Sequence, residues 1–229
     1  MLEQLREEVL EANLELVRRG LVIYTFGNVS GVSRADGLLA IKPSGVPYDK
    51  MTAADMVVTD LDGKIVEGKL RPSSDLATHA LLYRKFPAIG GIAHTHSRHA
   101  TAWAQAGKEI PCFGTTHADY FFSAVPVTDP LTPEEIESDY ELNTGVAIVR
   151  TMQGKEPLAC PAVLVAGHAP FCWGKSASDA VHTAVIVEEL ASMAWQTLTI
   201  NPSAVPISEA LRKKHHYRKH GPNATYGQK

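Results

Sequence analysis

A single α/β domain with a central mixed, largely antiparallel sheet flanked by helices is the fold class the sequence predicts. Three observations carry that expectation. Helical periodicity opens the chain and returns near its end. Short β-type runs fill the space between. No repeat, low-complexity tract or linker divides residues 1–229. A chain of 229 residues suits one such domain and can bury a substantial core without disulfides.

The elements follow in order. Leu2, Leu5, Val9, Ala12 and Leu16 recur at three- and four-residue intervals, which is one face of a helix, and Gly20 is its stop. Residues 21–26 and 37–41 read as strands. Residues 56–59 and 64–66 flank Leu61-Asp62-Gly63, a hairpin signal. Pro72-Ser73-Ser74-Asp75 starts a helix that carries Leu76, Ala80, Tyr83 and Phe86. Residues 89–96 read as a buried strand, and 97–106 as a helix ended by Gly107. Thr132-Pro133-Glu134-Glu135 combines a cap, a proline at the first helical position and a glutamate at the capping-box position. Residues 146–150 and 162–166 read as strands. Ser176-Ala177-Ser178-Asp179 opens a long helix to about Leu198, Asn201-Pro202-Ser203 breaks it, and a last helix holds Ser208 to about His216.

Composition narrows the function classes. The chain is 45% hydrophobic and 21% charged, ordinary for a globular protein. A net charge of -3 argues against nucleic acid or an acidic membrane as main partner, although residues 212–220 are locally basic. Cys112, Cys160 and Cys172 are too scattered for a disulfide framework and form no CxxC knuckle, so a reducing cytoplasm is expected. The first residues are acidic and amphipathic, unlike a secretory signal, and no apolar run approaches the roughly 18–20 residues of a membrane span.

The chemistry concentrates in histidines. His94 and His96 lie two apart at the end of an apolar strand, and strand side chains alternate, so both rings share a face. Such a pair can grip one ion, or it can arise by chance at a surface; the apolar approach Ile89-Gly90-Gly91-Ile92-Ala93 argues against an exposed accident. His168, following the strand at 162–166, is the natural third ligand, although such a histidine alone is more often structural or at the surface. Three neutral imidazoles around zinc leave an open coordination position. His79, His99, His117 and His182 read as structural or surface histidines. Gly27-Asn28-Val29-Ser30, Lys42-Pro43-Ser44-Gly45 and Ser73-Ser74-Asp75 each join small polar residues to a turn. Ser73 and Ser74 sit at a helix start and Lys42 adds a charge, so together they can cradle a phosphate, although such turns and caps are common. Asp119, in a mostly uncharged stretch, is either a general base or a turn cap. Tyr226 is a phenol in a polar tail.

Seven segments then acquire a common meaning: GNVS (27–30), IKPSGV (41–46), RPSSD (71–75), HTHSRHATAWAQAG (94–107), GTTHADYF (114–121), GHAPFCWGK (167–175) and the ending RKHG…YGQ (218–228). On these the chain resembles the class II aldolase family over essentially its whole length. THADYF and YGQ resemble the family's epimerase branch. The resemblance implies a zinc ion, with manganese, cobalt or nickel as substitutes, held by His94, His96 and His168. Asp75 stands where the aldolases carry glutamate, as a ligand or close to the metal. The resemblance further implies a substrate phosphate gripped by Asn28, Lys42, Ser44, Gly45, Ser73 and Ser74. Asp119 and Tyr226 become an acid–base pair acting across a subunit boundary, supported by Thr115, Glu141, His215 and Arg218, with the His215-His216-Tyr217 stretch matching less cleanly. A four-fold homotetramer is expected. The implied reaction inverts C4 of a phosphorylated ketopentose, L-ribulose 5-phosphate giving D-xylulose 5-phosphate, by breaking and re-forming the C3–C4 bond. Arabinose, ascorbate and xylulose catabolism can all use it. An aldolase acting on L-fuculose or L-rhamnulose 1-phosphate and a non-catalytic module like the adducin head are the rival readings. Asp75 with THADYF and YGQ favours the epimerase over the first, and the retained histidines speak against the second.

Overall fold

The computed structural model of the protein describes residues 2–220, 224 and 225. Helix α1 (Glu3–Arg18) buries Val9, Ala12 and Leu16 on the predicted stripe and ends before Gly20, whose φ is 68°. Its Asn13 behaves as a strand partner: the side-chain amide donates to the Val29 carbonyl, and the Val29 N–H donates back at 2.9 Å. Strands β1 (Asn28–Ser33), β2 (Leu38–Ile41), β3 (Val57–Asp60) and β4 (Ile65–Glu67) then form a meander. Helix α2 (Leu76–Lys85) leads to β5 (Gly91–His94), α3 (Arg98–Gln105) and a short α4 (Thr115–Ala118). Helices α5 (Pro133–Glu137) and α6 (Tyr140–Thr151) precede β6 (Ala162–Leu164) and β7 (Pro170–Gly174), and α7 (Ala177–Ile200) and α8 (Glu209–His220) follow.

Among the described residues the sheet runs β4-β3-β2-β1-β5-β7-β6. Every pairing of these strands is antiparallel. The only parallel element among the described residues is an isolated bridge between Val127 and Leu164, so the expected mixed character shrinks to that contact. Pleat alternation feeds two cores. Ala93, Leu164 and Cys172 face α1, α3 and α7, whereas Ile92, Val163, Phe171 and Trp173 face α2 and α6. Arg34 closes the α2 end, its guanidinium donating to the Tyr83, Phe86 and Ile89 carbonyls. No described helix is long and apolar enough to cross a membrane.

Glycine sets the approach of α7 to the sheet. Gly91 pairs with Gly174 across β5 and β7. A Cβ at Gly91 would lie 2.2 Å from the Ser176 carbonyl oxygen, and one at Gly174 would lie 2.4 Å from Asp179 Cβ. The first turn of α7, capped by Ser176 Oγ accepting from Asp179 N–H at 3.1 Å, therefore rests on bare backbone.

The structure corrects several expected elements. Residues 21–26 form a turn, with Tyr24 at φ 52°, because the Tyr48 hydroxyl shares its donation between the Phe26 and Gly27 carbonyls and curls the segment. The run 27–30 is no turn: β1 already begins at Asn28. The β-branched run 146–150 belongs to α6, capped by Asp139 accepting from Leu142 N–H, with Thr144, Ala147 and Ile148 buried at helical spacing. Strand β5 stops at His94, two residues before the expected end. Strand β7 went unpredicted; Pro170 opens it where a missing N–H costs little. The last helix extends four residues beyond His216.

Gly91→Ala is expected to lose about 2–3 kcal/mol of stability through backbone overpacking against Ser176, measured by urea unfolding. Wild-type stability would show that α7 can yield.

Candidate metal centre and substrate cleft

Three segments bring histidines to one point. His94 ends β5, His96 sits in the link to α3, and His168 occupies the turn between β6 and β7 behind Gly167, whose φ is 69°. His96 Nε2 lies 3.2 Å from His94 Nε2 and 3.2 Å from His168 Nε2. The ring centroids stand 5.0, 4.8 and 4.9 Å apart, a nearly equilateral triangle. His94 Nδ1 is 3.0 Å from the Pro170 carbonyl, which can only accept, so Nδ1 carries the proton and the Nε2 lone pair points inward. Phe171 stacks on that ring at 4.1 Å. The Tyr140 hydroxyl lies 3.3 Å from His168 Nδ1. Burial, then repulsion from the neighbouring imidazoles, pushes the pKa of His96 down and that of His168 down to about 4, so both are neutral near pH 7. Imidazole nitrogens within 4.8 Å of one another, with lone pairs converging, fit a metal ion.

The triad opens into a cleft of about 490 Å³. Asp75 lines it, accepting from Asn28 Nδ2 at 2.6 Å. Burial opposes ionisation of Asp75, but His94, His79, Asn28 and His168 outweigh it and hold the carboxyl below its usual range. Asn28 also borders the cleft, and its Oδ1 is buried without a hydrogen-bond partner. Ser44, Gly45, Ser73, Ser74 and Glu141 also line the cleft. The two serine loops are laced together, Ser73 N–H donating to the Lys42 carbonyl and Ser44 N–H to the Arg71 carbonyl, each at 2.9 Å.

Lys42 borders the same cleft. It is 2% exposed, and its ammonium donates to the carbonyls of Thr25, Pro43 and Val46. All three protons are thus occupied, and burial lowers the pKa to about 8. Through the Pro43 and Val46 carbonyls Lys42 clamps the serine loop.

A second cluster lies elsewhere on the chain. Asp119, just after α4, accepts from Arg218 Nη2 at 2.8 Å and His215 Nδ1 at 3.1 Å, with Lys219 Nζ at 3.7 Å. Burial works against the charge, but the Arg218 and His215 bonds and Lys219 prevail and keep the Asp119 pKa below 3.8. His215 is thus the member of its pair on Asp119; His216 turns its Nδ1 to the Ala118 carbonyl. Thr115 starts the same α4. None of Thr115, Asp119, His215 and Arg218 lines the cleft. Tyr226 lies outside the described residues. Sequence reasoning missed Tyr140, which borders the cleft and meets His168; nothing in its local pattern marks it, since the contact spans 28 residues.

Residues 7–195 match the family model described as Class II Aldolase and Adducin N-terminal domain. The chain belongs to the class II aldolase family. It is 57% identical over 228 residues, covering 100% of both chains, to proteins named L-ribulose-5-phosphate 4-epimerase UlaF from Salmonella paratyphi B and Salmonella typhi. An L-fuculose 1-phosphate aldolase shares its fold with a TM-score of 0.80 at 25% identity, over 94% of this chain and 95% of the other. The L-fuculose-1-phosphate aldolase of Thermus thermophilus, at 23% identity and a TM-score of 0.69, covers 89% of this chain and 100% of its own.

Asp119→Asn is expected to lose about 2 kcal/mol at pH 7, because it strands the Arg218 and Lys219 cations that converge on one carboxylate. The native pKa is depressed, so the stabilisation is complete above the ordinary 3.8 and disappears as pH falls through the lower native value. Denaturant titrations at pH 7, 5 and 3 should show a constant gap between wild type and variant at the first two and a closing one at the third.

Proposed function

We propose that the chain is an L-ribulose-5-phosphate 4-epimerase, an isomerase interconverting L-ribulose 5-phosphate and D-xylulose 5-phosphate, with residues 1–229 working as one class II aldolase/epimerase domain. The observation that carries this is the 57% identity over the whole chain to epimerases of that name, against 25% to an aldolase of the same fold. The histidine triad at the floor of a cleft supports it chemically.

The C4 hydrogen of a ketopentose phosphate is not acidic, so direct abstraction is a poor route. Removing the C4 hydroxyl proton instead lets the C3–C4 bond break, its electron pair passing toward the C2 carbonyl. A two-carbon aldehyde phosphate then turns its other face, and the bond re-forms with C4 inverted. A divalent cation, zinc in this reading, supplies electrostatic stabilisation for the negative charge that develops during such a cleavage. His94, His96 and His168 would hold it, with Asp75 beside them.

The chain's own groups do the rest. Ser44, Gly45, Ser73, Ser74 and Asn28 hold the phosphate, with Lys42 bracing their loop, so the aldehyde re-adds before it escapes. Glu141 borders the same space. Asp119 and Tyr226 exchange the proton of the C4 oxygen on opposite faces, Tyr226 as the acid given an ordinary phenol pKa of about 10. Thr115, His215 and Arg218 orient Asp119. The separation of that cluster from the cleft supports its action on a neighbouring subunit's cleft in a homotetramer. Exposed Phe26 at the cleft and Trp195 on α7 supply apolar surface for assembly. The setting is cytoplasmic pentose catabolism, as of arabinose.

Incubation with L-ribulose 5-phosphate should yield D-xylulose 5-phosphate, and a chelator should abolish it. Free glycolaldehyde phosphate as the main product would instead mark an aldolase. His96→Asn is expected to lose metal and at least about 10³-fold in turnover together, followed by metal analysis and a coupled assay; full turnover by metal-free protein would end the metal's role.

A further inference from the structure

His96 alone among the three ligands depends on where a helix begins. The link from β5 to α3 is only residues 95–97, so shifting the start of α3 shifts the His96 ring. Ser97, at the N-cap position of α3, makes no side-chain capping bond. The free N–H groups of the first turn are instead taken by a carboxylate from a distant helix. Glu188 on α7 accepts from His99 N–H at 2.8 Å and from Ala100 N–H at 2.9 Å, one on each oxygen. Its first oxygen also meets His99 Nδ1 at 2.8 Å. The Glu188 side chain is 14% exposed, so little water competes for these bonds. A carboxylate at a helix N-terminus also complements the positive end of the helix dipole. Helix α7 packs against β5 and β7, the strands that end at His94 and begin just after His168. Glu188 therefore ties the segment bearing His96 to the same helix that braces the other two ligands.

We infer that Glu188 is a positioning residue for the metal centre: it sets the His96 imidazole against His94 and His168 by anchoring the start of α3 to α7. The inference rests on the metal-binding reading of the triad. Glutamine at this position would offer an NH₂ group to one of the two N–H donors it must satisfy, splaying the turn while keeping size and burial. The test is titration of metal-free protein with zinc against a competing chelator dye. Glu188→Gln is expected to keep a native circular dichroism spectrum and to bind zinc at least about 10-fold more weakly, the scale for loss of a group that orients a ligand. Ser176→Ala removes the α7 cap away from the triad, so it should lower the melting temperature while leaving zinc affinity unchanged. If Glu188→Gln does not fold, Glu188→Asp, which keeps the charge but shortens its reach, should weaken zinc several-fold. A wild-type chain that takes up no zinc overturns the metal reading and this inference with it. Normal zinc uptake by wild type, with equal affinity in a folded Glu188 variant, overturns this inference alone.

Discussion

The register of β5 against β7 decides where the metal centre can be. With Gly91 opposite Gly174, His94 falls opposite Phe171, and the two rings stack. Pro170, first residue of β7, then supplies the carbonyl that fixes the His94 tautomer, and the turn just before it carries His168. A slip of one residue would send His94 to the opposite face of the sheet and leave no second ligand nearby. The bare backbone at Gly91 and Gly174 lets α7 lie close enough to hold that register from above. Packing, tautomer and ligand convergence thus share one cause.

Charge is distributed unevenly over the molecule. In the cleft His96 and His168 are kept neutral, the Lys42 ammonium is held by three backbone carbonyls, and Asp75 stays ionised. Recognition of a phosphate there would rest on serine hydroxyls and backbone N–H groups at the start of α2, donors that need no counter-charge. The cations Arg218 and Lys219 gather instead around Asp119, where His215 also meets the carboxylate. A carboxylate so held is only weakly basic, so the base role proposed for Asp119 would call for a substrate that draws some of those groups away.

Legibility follows the range of the interactions. The α1 stripe, the β3–β4 hairpin and the α5 capping box are local patterns, and each stands where its residues predict it. The pair His94/His96 is visible because two residues at strand spacing share a face, even though the strand itself stops at His94. Residues 146–150 mislead because a β-branched run reads as strand until Asp139 and the Leu81 contact of Gly145 are seen to commit it to a helix. Strand β7 hides behind a proline. Asn28, Lys42, Ser44, Gly45, Ser73, Ser74 and Asp75, which the resemblance names, border one cleft, but no motif can say which carbonyls hold the Lys42 ammonium, since they come from the fold. Glu188 is illegible for the same reason: its partners lie 88 and 89 residues away.

In the proposed tetramer, the separation of the Asp119 cluster from the cleft of its own chain would bear on inheritance as well as mechanism. Where each working site borrows its histidines from one chain and its carboxylate from the next, two defective alleles can complement. A chain without His96 and a chain without Asp119, co-assembled, would form some junctions with both halves intact, and mixed assemblies would regain activity that neither parent has. By the same logic a damaged copy would also spoil junctions with healthy neighbours, so selection would act on the assembly and a harmful allele would be partly dominant.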